Sequence, residues 1–214
     1  MKASEIKNKR VIIGLSQFLS TVLSPLLMPS YGVFLVLWGS FLSSRPTGDR
    51  AMILIVMFGL TCILPMIFIS TLQHFGIVHN KRLDLRRERT LAYIFALACY
   101  TSGCFYLNHV HSPKWFIMFA AGGAVALLLV LLINLKWKIS AHMTGIGGIV
   151  ALVYTMHIQM IEAFDMQVVL IVTIMLAGCL GTARIILGRH DFAQVITGAL
   201  LGYFSVKLMM MLFG

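Results

Sequence analysis

Apolar residues run along this chain in blocks of about twenty, the length that crosses a hydrocarbon core of about 30 Å as a helix. The first block, residues 11–42, is too long for one straight helix and is interrupted by Pro25 and Pro29. It predicts an interfacial or tilted helix, followed by a span ending near Leu42. A short polar turn at 43–50 leads into a second span over 51–75. Further spans are expected at 90–107, 115–135, 144–158, 167–187 and 192–213. The pattern predicts an all-α, polytopic transmembrane helix bundle with six or seven spans, forming one domain over residues 1–214. Short connections imply antiparallel neighbours. Gly122, Gly123, Gly145, Gly148, Gly198 and Gly202 suit close helix packing.

Alternation sorts the connections onto two sides. One side receives the N-terminus, the charged stretch 79–89, the 136–142 junction and the 188–191 turn. The other receives the turns at 43–50, 108–114 and 159–166. Every ionisable cluster with chemical potential falls on the first side.

Composition strengthens this reading. Of 214 residues, 59% are apolar and 11% charged, too few polar groups to cover a water-soluble surface. No soluble domain remains to carry a function, so any chemistry sits among the helices or in their connections. The formal charge of +10 lies at the ends of apolar blocks, which points to lipid headgroups or an anionic substrate and away from nucleic acid. Cys62, Cys99, Cys104 and Cys179 all lie in apolar blocks without CxxC spacing and read as buried thiols. No small-residue cleavage site follows the first apolar run, so the segment is expected to be retained. Trp38, Trp115 and Trp137 fall near span ends, as interfacial anchors do.

Three polar clusters carry candidate chemistry. Arg82 and Arg89 stand seven residues apart, Ser140 and His142 open one span, and Arg184 closes another just before His190. Arginine binds phosphate oxygens by charge and by paired hydrogen bonds. Two histidines can divide the roles of nucleophile and general acid. Ser140 also stands where a helix N-cap belongs. His74, His79, His109, His111 and His157 read as ordinary membrane-edge histidines, and the His109/His111 pair has no third metal ligand close in sequence.

The order and spacing of these blocks resemble the type 2 phosphatidic acid phosphatase (PAP2) family. That family carries K-x6-R-P, then P-S-G-H, then S-R-x5-H-x3-D. Here Arg82-x6-Arg89-Thr90, Ile139-Ser140-Ala141-His142 and Ala183-Arg184-x5-His190-x3-Gln194 align with the three blocks, over residues 80–200. The departures are Arg82 for Lys, Thr90 and Ile139 for the prolines, Ala141 for Gly, Ala183 for Ser and Gln194 for Asp. The resemblance implies a membrane lipid phosphate phosphatase working through a phosphohistidine, with no metal or other cofactor. His190 would attack phosphorus and His142 would protonate the leaving oxygen. Arg82, Arg89, Ser140 and Arg184 would hold the phosphoryl oxygens, and Gln194 would support His190. The substrate would be a lipid phosphate or diphosphate in contact with membrane lipids.

Two other classes compete. A non-catalytic or repurposed PAP2-like lipid-binding or transport protein would keep the site without turnover. A UbiA-type prenyltransferase is echoed by Asn80, Asp84 and Glu88, but such enzymes need two acidic clusters to hold Mg²⁺. Lys81 replaces one required Asp, and the only turn that could offer another acidic cluster, with Glu162 and Asp165, falls on the opposite side.

Size and simplicity point to a bacterial inner membrane. Leaving aside the candidate site arginines, the first side keeps ten basic residues: Lys2, Lys7, Lys9, Arg10, Lys81, Arg86, Arg87, Lys136, Lys138 and Arg189. The other side keeps three, Arg45, Arg50 and Lys114. The positive-inside rule then places the first side in the cytoplasm, whereas the family resemblance implies a periplasmic site.

Overall fold

A computed structural model describes residues 3–78 and 86–213. Helix α1 (Ala3–Val22) ends just before Pro25. Helix α2 (Met28–Gly39) carries Pro29 in its first turn, where a missing N–H costs nothing. Leu23 to Leu27 form the break between them. Ser40 then starts a 3₁₀ turn (Phe41–Ser44): its hydroxyl accepts from the Leu42 N–H at 3.1 Å and donates to the Val36 carbonyl at 2.7 Å.

The next span is α3 (Thr47–Phe58), a π-helical turn (Gly59–Ile63) and α4 (Leu64–His74) in direct succession. Pro65 has no N–H to give the Thr61 carbonyl. The ladder widens there, so that the Leu64 N–H reaches back to the Gly59 carbonyl. The remaining helices are α5 (Arg86–His109), α6 (Lys114–Asn134), α7 (Ala141–Ile158), α8 (Gln167–Ile186) and α9 (Phe192–Phe213). Among the described residues there is no strand, only one isolated bridge between Ser40 and Glu162.

Among the described residues six helices are long and apolar enough to cross a membrane: the α3–α4 unit and each of α5 to α9. The sequence pattern also predicts a span ending near Leu42. The helix there, α2, has only 12 residues. At about 1.5 Å per residue it falls well short of the hydrocarbon thickness. Pro25 and Pro29 divide the apolar run into two helices, of which α1 does not qualify as a span either.

α7 is the most buried of the six and packs most extensively against α9. Glycines allow that approach. A Cβ on Gly202 would run into the Thr144 carbonyl, and one on Gly147 into the Ala199 carbonyl. Gly122 does the same service between α6 and α9, where a Cβ would stand 2.7 Å from the Val206 Cα. The outward faces carry exposed Ile, Leu, Val, Met and Phe, as lipid-facing helices do.

The contacts fix the two ends of the bundle. At one end the Arg45 guanidinium donates to the His111 carbonyl at 3.1 Å, and the Phe41 N–H to the Ile161 carbonyl at 3.2 Å. The turns at 43–50, 108–114 and 159–166 therefore meet. The opposite end gathers the end of α1, the starts of α5, α7 and α9, and the end of α8.

Candidate functional site

At this second end a cavity of about 860 Å³ opens between the helices. Its polar wall includes Arg89 from the first turn of α5, His142 from the first turn of α7, Arg184 from the last turn of α8, and Arg189 and His190 from the α8–α9 turn. Among the described residues no Asp or Glu lines it. The rest of the wall is mostly apolar, with Met57, Cys62, Ala96, Phe119, Val130 and Val206. Along α5 the lining continues from Arg89 to Tyr100, about three helical turns and roughly half the depth of a hydrocarbon core.

Local structure explains how each polar group is held. Asp191 caps α9, its Oδ1 accepting from the Gln194 N–H at 2.8 Å, as an N-cap carboxylate does. That cap starts the helix so that Gln194 sits one turn beyond His190. The His190 Nδ1–H donates to Gln194 Oε1 at 2.8 Å. His190 is buried, and burial pushes its imidazole down to about 4, against the opposing pull of the Gln194 bond. The positive charges of Arg184, Lys138 and Arg89 add to the downward push. At neutral pH His190 is therefore uncharged, with its lone pair on Nε2.

His142 and Arg184 meet on α1. The Arg184 Nη1–H donates to Ser20 Oγ at 2.7 Å, while His142 Nε2 lies 3.1 Å from the Ser20 carbonyl and 3.3 Å from Ser20 Oγ. Arg184, His190 and Arg89 all act electrostatically on His142. Arg89 is buried, and its side chain is bonded to Tyr93, one turn along α5. Among the candidate residues Arg89, His142, Arg184 and His190 thus share one cavity wall, with Gln194 behind His190.

The remaining two candidates are Arg82 and Ser140. Arg82 lies outside the described residues. Ser140 is fully buried at the N-cap position of α7, yet its hydroxyl makes no capping bond and has no partner among the described residues. It lies next to the cavity wall, which begins at Ala141, and its carbonyl is pressed on α9 at Gly198.

Sequence reasoning missed Ser20 and Tyr93, and left Lys138 and Arg189 among plain topogenic charges. Ser20 is one hydroxyl in an apolar run, and its partners lie 122 and 164 residues away. Tyr93 had a signal, its i+4 spacing from Arg89. At the far end of the bundle His157 Nδ1 lies 3.2 Å from both Glu162 carboxylate oxygens, and Asp165 joins them within 4.8 Å. That juxtaposition gives His157 a carboxylate partner that its position in the sequence did not reveal.

Family models, curated proteins and solved structures give no match to this chain. The likeness to PAP2 enzymes rests on the three motif blocks themselves. Chemically, the cavity joins an anion-attracting end to an apolar interior. It offers a neutral imidazole nitrogen, a second imidazole and guanidinium donors within one enclosure.

Proposed function

We propose that this protein is an integral-membrane lipid phosphate phosphatase that works through a phosphohistidine at His190 and needs no metal ion. One observation carries the reading: His142, His190, Arg89 and Arg184 line a single cavity whose remaining wall is mostly apolar. A phosphate needs the polar end, and a hydrocarbon chain fits the other.

The His190 Nε2 lone pair attacks phosphorus as the bond from phosphorus to the lipid oxygen breaks. Gln194 fixes the tautomer that exposes this nitrogen, with a neutral carbonyl where a carboxylate would also supply a counter-charge. The leaving oxygen takes a proton from the His142 imidazolium, formed when the phosphate's negative charge is present. Water then attacks the phosphohistidine, neutral His142 accepts its proton, and inorganic phosphate leaves. Arg89 and Arg184, with Arg82 as a further candidate from the motif spacing, stabilise the equatorial oxygens. A wall free of carboxylates among the described residues suits this charge-neutralising role.

Purified protein presented with phosphatidic acid, phosphatidylglycerol phosphate, a polyprenyl diphosphate and a lipid A phosphate is expected to release phosphate from at least one, equally with and without EDTA. Acid-labile label should appear on His190. Binding without release from any of them would make this a lipid-binding or transport protein, and release abolished by EDTA would end the metal-independent mechanism.

A further inference from the structure

Helix α1 lines the cavity with Gln17, Ser20 and Thr21, and Ser20 meets both His142 and Arg184. Pro25 ends the helical ladder, so the carbonyls of the last turn of α1 need donors from elsewhere. The Val22 carbonyl accepts from the Tyr31 hydroxyl at 2.8 Å. The Ser20 carbonyl has His142 Nε2 at 3.1 Å. A carbonyl only accepts, so Nε2 carries a proton and the ring is anchored by it. The Ser20 hydroxyl meanwhile accepts from the Arg184 Nη1–H at 2.7 Å. A single, nearly buried serine thus ties α7 to α8 at the polar end of the cavity.

We propose that Ser20 is a positioning residue of this site: its hydroxyl aims the Arg184 guanidinium, and its carbonyl holds His142 by Nε2–H so that Nδ1 exchanges the proton. The inference rests on the phosphoryl reading of the cavity and assigns its parts more finely. The Ser20 carbonyl is to His142 what Gln194 Oε1 is to His190, an acceptor behind the working ring. The two rings are anchored by opposite nitrogens, Nε2 in His142 and Nδ1 in His190. The reactive nitrogens are accordingly Nδ1 of the first and Nε2 of the second. Ser20 acts through its two neighbours, His142 and Arg184.

The test uses the full-length protein in detergent, with inorganic phosphate as probe. ¹⁵N spectra of ring-labelled histidine, assigned by the signal lost in His142→Asn, should show His142 with Nε2 protonated. Titration calorimetry should show phosphate bound about tenfold to a hundredfold more weakly by Ser20→Ala, the loss expected for one charge-assisted bond. Ser20→Thr, which keeps the hydroxyl, should stay within about threefold of the parent; a residue that only packs α1 would show no such rescue. A neutral His142 with Nδ1 protonated and Nε2 bare, or Ser20→Ala binding phosphate like the parent, would overturn the inference. Neither readout needs turnover. Correct ring states and weakened phosphate binding in a protein that hydrolyses no lipid would support the role of Ser20 and count against the phosphatase reading alone.

Discussion

His190 Nδ1 and Gln194 Oε1 lie 2.8 Å apart, one helical turn along the start of α9. The carbonyl oxygen takes the place that the resemblance assigns to a carboxylate. It orients the ring as a carboxylate would but brings no charge to stabilise the imidazolium formed on attack. On the proposed phosphatase reading, slow turnover is expected. Gln194→Asp should raise turnover and Gln194→Ala lower it, with about tenfold to a hundredfold between the two, since one good charge-assisted bond contributes about 1.5–3 kcal/mol. Steady-state phosphate release from the three proteins checks this, and equal rates for Gln194→Ala and the parent would remove Gln194 from the mechanism.

The depressed His190 imidazole sets a pH dependence. Folded, it resists protonation down to about 4, whereas an unfolded chain takes the proton near 6.5. Between those values the unfolded state binds more protons, so this group's contribution to stability falls as pH falls through that window. In activity, the acid limb of kcat/KM that reports the nucleophile should lie well below the ordinary histidine range. Replacing His190 with Gln should flatten the stability slope between about pH 4 and 6.5, read from unfolding in detergent. An unchanged slope would mean that His190 titrates alike in both states.

Gly202 offers a test of the packing that assembles the site. Any Cβ there meets the Thr144 carbonyl, two residues after His142, and backbone cannot step aside as a flexible side chain can. Gly202→Ala should destabilise by on the order of 1–3 kcal/mol. Gly14→Ala, in α1, has nothing within 4 Å of the added carbon. It should be neutral or stabilising by up to about 1 kcal/mol. Thermal unfolding of both variants in one detergent compares them directly, and similar Tm values would show that the α7–α9 approach is not tight.

Orientation is decided by labelling. Thr47 and Lys136 are exposed at opposite ends of the bundle. In a background freed of the four native cysteines, Thr47→Cys should react with an impermeant reagent in intact cells and Lys136→Cys should not, as the basic side requires of a cytoplasmic site. The reverse pattern would put the cavity mouth on the outer face.

Blocks of apolar residues were enough to specify helices and membrane, because a lipid-exposed backbone has no partner for its polar groups except itself. Spacing alone also put His190 and Gln194 on one helical face, and counting connections placed the arginine and histidine clusters at one end. Both are local or topological consequences of a chain that crosses and returns. The prolines marked a break in the first apolar run, but not that the helix after them, α2, falls short of a span, since the run stays apolar past the point where that helix ends. Nor did the chain pattern reveal the cavity's apolar depth, or that Ser140 packs beside the wall rather than on it. Ser20 is the clearest case. Nothing near it in sequence marks it, and its role arises only when α1 ends beside α7 and α8. A carbonyl left open where α1 ends then meets a histidine far along the chain, because a buried polar group must find a partner wherever the fold supplies one.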